Sequence, residues 1–148
     1  MSFLIRRYYL ELTAIAFVII AIYFLYQNFI SCAYNINTDI YNINKMVTLC
    51  KHKALYSNDN SYYGIMLDSN SISLIKSNDI KDEIIIDKYN FKTIKLKINK
   101  QDNIIYYNDT GMAINTEHLL FTIKDKNNKL IKQGILHCTG MVNIWDIK

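Results

Sequence analysis

The residues best suited to chemistry lie in two short stretches, "CKH" at 50–52 and "HC" at 137–138. Cys50, His52, His137 and Cys138 carry the donor atoms of a metal centre, and the two cysteines alone could form a disulfide. On a strand, residues two apart share a face, so Cys50 and His52 could ligate together. His137 and Cys138 are neighbours and would point to opposite faces, which leaves three ligands. Three ligands without Cys-x-x-Cys spacing fall short of a zinc site, so no metal or other cofactor is expected. His118 reads as a loop residue without a role.

Catalytic patterns are equally sparse. The chain lacks a Gly-x-Ser-x-Gly elbow, a His-Glu-x-x-His pair and a glycine-rich phosphate loop. "NDTG" at 108–111 contains the Asp-Thr-Gly triplet of aspartic proteases, but Asp and Gly are also the residues a tight turn selects. No enzymatic activity is expected. Trp145 and the tyrosines of "SYY" and "IIYY" could stack on bases or glycans; alternating with isoleucine, they read as core and cross-strand pairs.

One acidic residue stands apart. Glu11 opens the run "LELTAIAFVIIAIYFLY", and no other charged side chain follows before Asp39. A helix crossing a bilayer needs about 20 apolar residues, and Leu12 to Ala33 supplies them. A carboxylate at the mouth of such a helix is either an interfacial group favoured by the helix dipole or a functional residue awaiting a partner. Arg6 and Arg7, the only arginines, precede it. They favour a cytoplasmic N-terminus and an exported C-terminal domain. Lys45, Lys51 and Lys53 on the far side weaken that preference without reversing it.

The elements that position these groups follow from periodicity. Phe29, Cys32, Ile36, Ile40 and Ile43 recur at spacings of three and four, so the helix is expected to run on to about Asn44. Short alternating segments follow: "KMVTLCKH", "SYYGIMLD", "SISLIKS", "DEIIID", "KTIKLKIN", "NIIYYN", "LLFTIKD", "LIKQGILHC" and "MVNIWDI". Clusters of Asn, Asp and Gly punctuate them. The expected class is α+β, a long N-terminal transmembrane helix followed by an antiparallel β-sandwich. In an exported domain two cysteines default to a disulfide. Cys32 belongs to the membrane helix, so Cys50 and Cys138, on the first and a late strand, are the candidate pair; two buried free thiols are the other possibility. Seventeen basic against thirteen acidic residues give a net charge of +4. Interspersed charges of this size fall short of a nucleic-acid footprint.

Taken in order, these segments resemble the GspH/FimT-type minor pseudopilins of type II secretion and type IV pilus machines. The likeness rests on the basic leader, "LELTAIAFVIIAIYFL" and "QNFISCAYN". "KMVTLCK" is similar to that family's first strand. "YYGIMLDSN" is similar to a later motif, through Tyr62, Gly64 and Asp68. "IIYYNDTGMAIN" matches through Gly111, and "ILHCTGMVNI" through Thr139 and Gly140. The resemblance implies a leader at residues 1–6, a transmembrane and scaffold helix at 7–44 and a pilin-like β-sandwich at 45–148. It implies that Glu11 pairs with the free amine of a neighbouring subunit. The partners would be other pilin-like subunits, the inner-membrane assembly platform and secreted cargo, with the C-terminal domain in the periplasm. Two alternatives stand beside it: a permanently anchored single-pass periplasmic protein, and a DNA-binding minor pilin. The latter is disfavoured by Met141 after Thr139–Gly140 and by the lack of arginine beyond Arg7.

Overall fold

The computed structural model describes residues 2–57, 61–78, 82–99, 103–114 and 118–147, excluding the side chains of residues 2–8, 10 and 32. A single helix, α1 (Ser2–Tyr56), leads into eight strands. These are β1 (Tyr62–Leu67), β2 (Ser71–Ser77), β3 (Glu83–Asn90), β4 (Ile94–Ile98), β5 (Ile104–Tyr107), β6 (His118–Asp125), β7 (Leu130–His137) and β8 (Val142–Asp146). The chain divides into two compact units, Met1–Asn35 and Ile36–Lys148.

In the first unit the described side chains are exposed on every side of the helix, including Phe17, Val18, Ile20, Phe24 and Phe29. A helix apolar all round needs lipid or other helices around it. α1 is long and apolar enough to cross a membrane.

The second unit is the expected sandwich, with one correction. Eight of the nine anticipated strands form, but "KMVTLCKH" is helical. Thus α1 ends at Tyr56, twelve residues beyond Asn44, and the strands begin at Tyr62. The reason lies in the buried stripe. Ile43, Met46, Val47, Cys50 and Ala54 are all buried, which continues the three-and-four spacing begun at Ile36 and Ile40. Alternation would instead have buried Thr48 and His52, and both are exposed. Lys53 lies in the last turn, where a cation complements the helix dipole.

The strands form two antiparallel sheets, in the orders β3-β2-β1-β5 and β4-β6-β7-β8. Their facing sides carry Ile65, Leu67, Ile72, Leu74 and Ile105 from one sheet, and Leu96, Leu119, Phe121, Ile123 and Leu136 from the other. The helical stripe joins the same cluster. His118 begins β6, opposite His137 on β7, rather than lying in a loop.

One polar group sits on this otherwise apolar stripe. Asp39 is completely buried, and its carboxylate grips the short connection between β3 and β4. Oδ2 accepts from the Thr93 N–H and hydroxyl, both at 2.8 Å. Oδ1 accepts from the Tyr89 hydroxyl at 2.8 Å, and both oxygens lie 3.1 Å from the Lys92 N–H. Burial by itself would raise the pKa of Asp39. The donors from Thr93, Lys92 and Tyr89 outweigh it and hold the carboxyl below its ordinary value.

A depressed folded-state pKa means stabilisation that is complete above the unfolded value, about 3.9, and lost as pH falls through the folded value. Asp39→Asn places an amide among these donors and should cost about 2 kcal/mol or more at neutral pH. Urea unfolding of the full chain in detergent, followed by Trp145 fluorescence, should show that deficit. The gap between wild type and variant should shrink below about pH 4. A gap that is the same at neutral and acid pH would contradict the clamp.

Candidate assembly site

Glu11 lies on α1 in the first unit, with its side chain exposed among Tyr9, Leu12 and Ile15. The helix is unbroken around it, because the chain has no proline and its first glycine is Gly64. A carboxylate on a largely apolar helix surface is a group that can accept an amine in a low-dielectric layer. Arg6 and Arg7 fall within α1, and their side chains lie outside the described residues, as does that of Cys32.

The cysteine–histidine constellation dissolves in the structure. On a helix, residues two apart face in different directions, so Cys50 is buried while His52 is exposed and packs on Tyr56 at 4.6 Å. His137 approaches Asn143, with Nε2 3.2 Å from Nδ2. Among the described residues no three His, Cys, Asp or Glu side chains gather as a metal site.

Of the two possibilities for Cys50 and Cys138, a bridge or free thiols, the structure has free thiols, with Cys50 buried and Cys138 half-buried. Their segments nevertheless meet. The Lys51 ammonium donates to the Thr139 carbonyl at 2.6 Å. Tyr107 is buried, and its hydroxyl has no hydrogen-bond partner among the described residues. Burial, and then the nearby thiols of Cys50 and Cys138, push its pKa up. Burial likewise pushes the Cys50 thiol up. A suppressed thiolate is a poor nucleophile for disulfide exchange, so Cys50 is chemically quiet.

Two glycines singled out in the sequence acquire a reason here. Gly111 and Gly140 have φ of 74° and 72°, a region where side chains are strained. Both also press on Lys51. A Cβ would lie 3.1 Å from Lys51 Cε at Gly111 and 2.9 Å from Cδ at Gly140. The two turns thus cradle the aliphatic stem of Lys51 while Thr139 receives its charged end. The Asp-Thr-Gly triplet belongs to one of these turns. Asn108 Oδ1 accepts from Thr110 N–H, Thr110 hydroxyl and Met112 N–H, and Asp109 is exposed. Asp39 and Lys51, which fasten the helix to the sandwich, were missed in the sequence. Asp39 had a signal, because it sits three residues after Ile36 and four before Ile43, on the apolar stripe. Of the aromatics weighed as stacking platforms, Tyr63, Tyr106 and Tyr107 are core residues, whereas Trp145 is partly exposed on β8.

In a Cys32→Ser variant under native conditions, maleimide should modify half-buried Cys138 well ahead of buried Cys50. Both should react after denaturation without reductant, as read by mass spectrometry. A species that resists labelling even when denatured, until reduced, would contradict the free thiols.

No protein-family model matches the sequence, and no curated protein matches it. Solved structures do. The type IV minor pilin FimU of Pseudomonas aeruginosa is similar at a TM-score of 0.53 and 14% identity, covering 74% of this chain and 91% of that one. A second crystal form of FimU gives the same TM-score and covers 87% of that chain. EpsH, a minor pseudopilin from the Type 2 Secretion System of Vibrio cholerae, is similar at a TM-score of 0.53 and 10% identity. It is covered over 92% of its length by 72% of this chain. At such identities the likeness is one of fold, and the fold is the pilin-like one.

Proposed function

We propose that this chain is a minor pseudopilin, a non-enzymatic structural subunit of a type II secretion or type IV pilus filament that assembles through its N-terminal helix. The observation that carries the reading is the double character of α1. Residues 36–56 carry the buried stripe of a pilin-like domain, whereas the helix before them keeps apolar side chains exposed all round and carries a single acid, Glu11. Such a surface is stable only in lipid or against other apolar helices.

In this reading Glu11 is the selective element. Apolar helices attract one another with little specificity, because lipid tails are as apolar as leucine. A carboxylate in that layer needs a cation, and the free amine of a neighbouring pilin-like subunit is one that arrives at the same depth. The pairing would set the axial register of one helix against the next. Arg6 and Arg7 would hold the N-terminus at the cytoplasmic face of the inner membrane, with the β-domain in the periplasm. The assembly platform and secreted cargo complete the proposed partners. The lack of arginine beyond Arg7 argues against nucleic acid as a partner.

Glu11→Ala should leave membrane insertion intact, since it removes a charge from the bilayer edge. Crosslinking to other pilin-like subunits should nevertheless fall sharply, and Glu11→Gln should fail in the same way. Wild-type crosslinking in both variants would sink the pairing and leave only a dipole effect of under about 1 kcal/mol. The N-terminal residue of the membrane-extracted protein separates the alternative. A pilin-like subunit loses its leader at residues 1–6, whereas a permanently anchored protein keeps it.

A further inference from the structure

Two four-stranded sheets leave four outer strands, of which one is covered, one is guarded and one is short. β5 is covered by the segment after it, with the Ile114 N–H donating to the Tyr106 carbonyl at 2.8 Å and a bridge between Tyr107 and Ala113. β4 carries Lys95 and Lys97, and its Leu96 N–H donates to the Ser69 carbonyl at 2.8 Å. β8 is short, five residues, and its Asp146 pairs with Lys132 of the neighbouring β7 rather than across the outer edge.

β3 is the longest of the four. It has eight residues, and no backbone group of a described residue outside β2 hydrogen-bonds to the strand itself. Ile84, Ile85 and Ile86 are 61%, 49% and 42% exposed. Free edges are usually guarded by lysine or proline at mid-strand, and isoleucine there invites pairing. Its guards are exposed Lys88, towards one end of the strand, and a bulge at mid-strand, where Leu74 pairs with Asp87 and Ile75 with Ile85, so that Ile86 is the extra residue. A bulge bends an edge and re-aims a side chain; here the side chain is a third exposed isoleucine. Exposed Asp82, Glu83 and Asp87 flank the three, with Glu83 accepting from the Tyr106 hydroxyl at 2.7 Å; against the single Lys88 they leave the rim net acidic in a chain of net charge +4.

We propose that β3 is an acceptor edge for an extended segment of a partner protein in which apolar residues alternate with lysine or arginine. Main-chain hydrogen bonds along the edge would supply affinity, and the isoleucines would pack against the alternate apolar side chains. The carboxylates select a basic strand. The proposal rests on the sandwich alone and is independent of the role given to Glu11.

The test uses the full chain in phosphatidylcholine nanodiscs and a fluorescent peptide, KTIKLKIN, with its counterpart ETIELEIN. The lysine peptide should bind, weaken with added salt and slow amide exchange at residues 83–90, while the glutamate peptide should not bind. Ile84→Lys, at the most exposed of the three positions, should weaken binding by about tenfold or more without shifting the unfolding midpoint. Asp87→Lys should reverse the preference between the peptides. No binding, equal binding of both peptides, or protection elsewhere on the domain would overturn the proposal. A concentration-dependent dimer abolished by Ile84→Lys would also overturn it, in favour of a second copy on this edge.

Discussion

The Asp39 carboxylate, buried in an apolar stripe and tied to backbone donors of a loop more than fifty residues away, is the constraint on which the domain is organised. The β3–β4 connection is where the chain first crosses from one sheet to the other, and its N–H groups have no ladder to join. Left unpaired in the interior they would each cost about 1–3 kcal/mol. Asp39 satisfies them with a charge, and they in turn make its burial tolerable. Neither half of the arrangement is stable without the other.

A second fastening lies twelve residues further along α1, roughly 18 Å at helical rise. There the Lys51 ammonium meets the Thr139 carbonyl, and its stem lies across Gly111 and Gly140. Between the two points the contact is apolar, through Ile43, Met46, Val47 and Cys50. Non-directional burial holds the helix to the sandwich, and the two polar contacts fix where along its axis it sits. This division explains why both fastenings use backbone atoms of the sandwich, whose positions are set by the fold rather than by a rotamer.

The same helix therefore changes character along its length. Its second half is stabilised by the sandwich it helps to build. In the first compact unit its described side chains are exposed as far as Tyr34. The proposed function starts from that asymmetry, since a helix apolar all round is stable only in lipid or against other apolar helices. Free β-edges raise a parallel question in the sandwich, where lysines attend one edge, a covering segment another, and three exposed isoleucines dominate β3.

Much of this was legible in the sequence. The apolar run after Arg6 and Arg7, the isolated acid Glu11 and eight alternating segments all appear where periodicity and charge put them. These are local quantities, since a charge-free stretch or an alternation of two can be read without knowing what it touches. The turns around Gly111 and Gly140 were legible as turns for the same reason. The stretch from Met46 to His52 was not. It supports an alternating face through Met46, Thr48, Cys50 and His52 as readily as a helical one through Val47, Cys50 and Ala54. Reading it as a strand also placed Cys50 and His52 on one face and suggested the disulfide. The sequence by itself determined the class of fold, the membrane-compatible helix and its lone carboxylate. The tertiary structure alone decided where α1 ends, that Cys50 is a buried free thiol, and that Asp39 and Lys51 are its anchors. Each of those depends on partners fifty to ninety residues away, and the hydrophobic effect that brings them together specifies burial without specifying the neighbour.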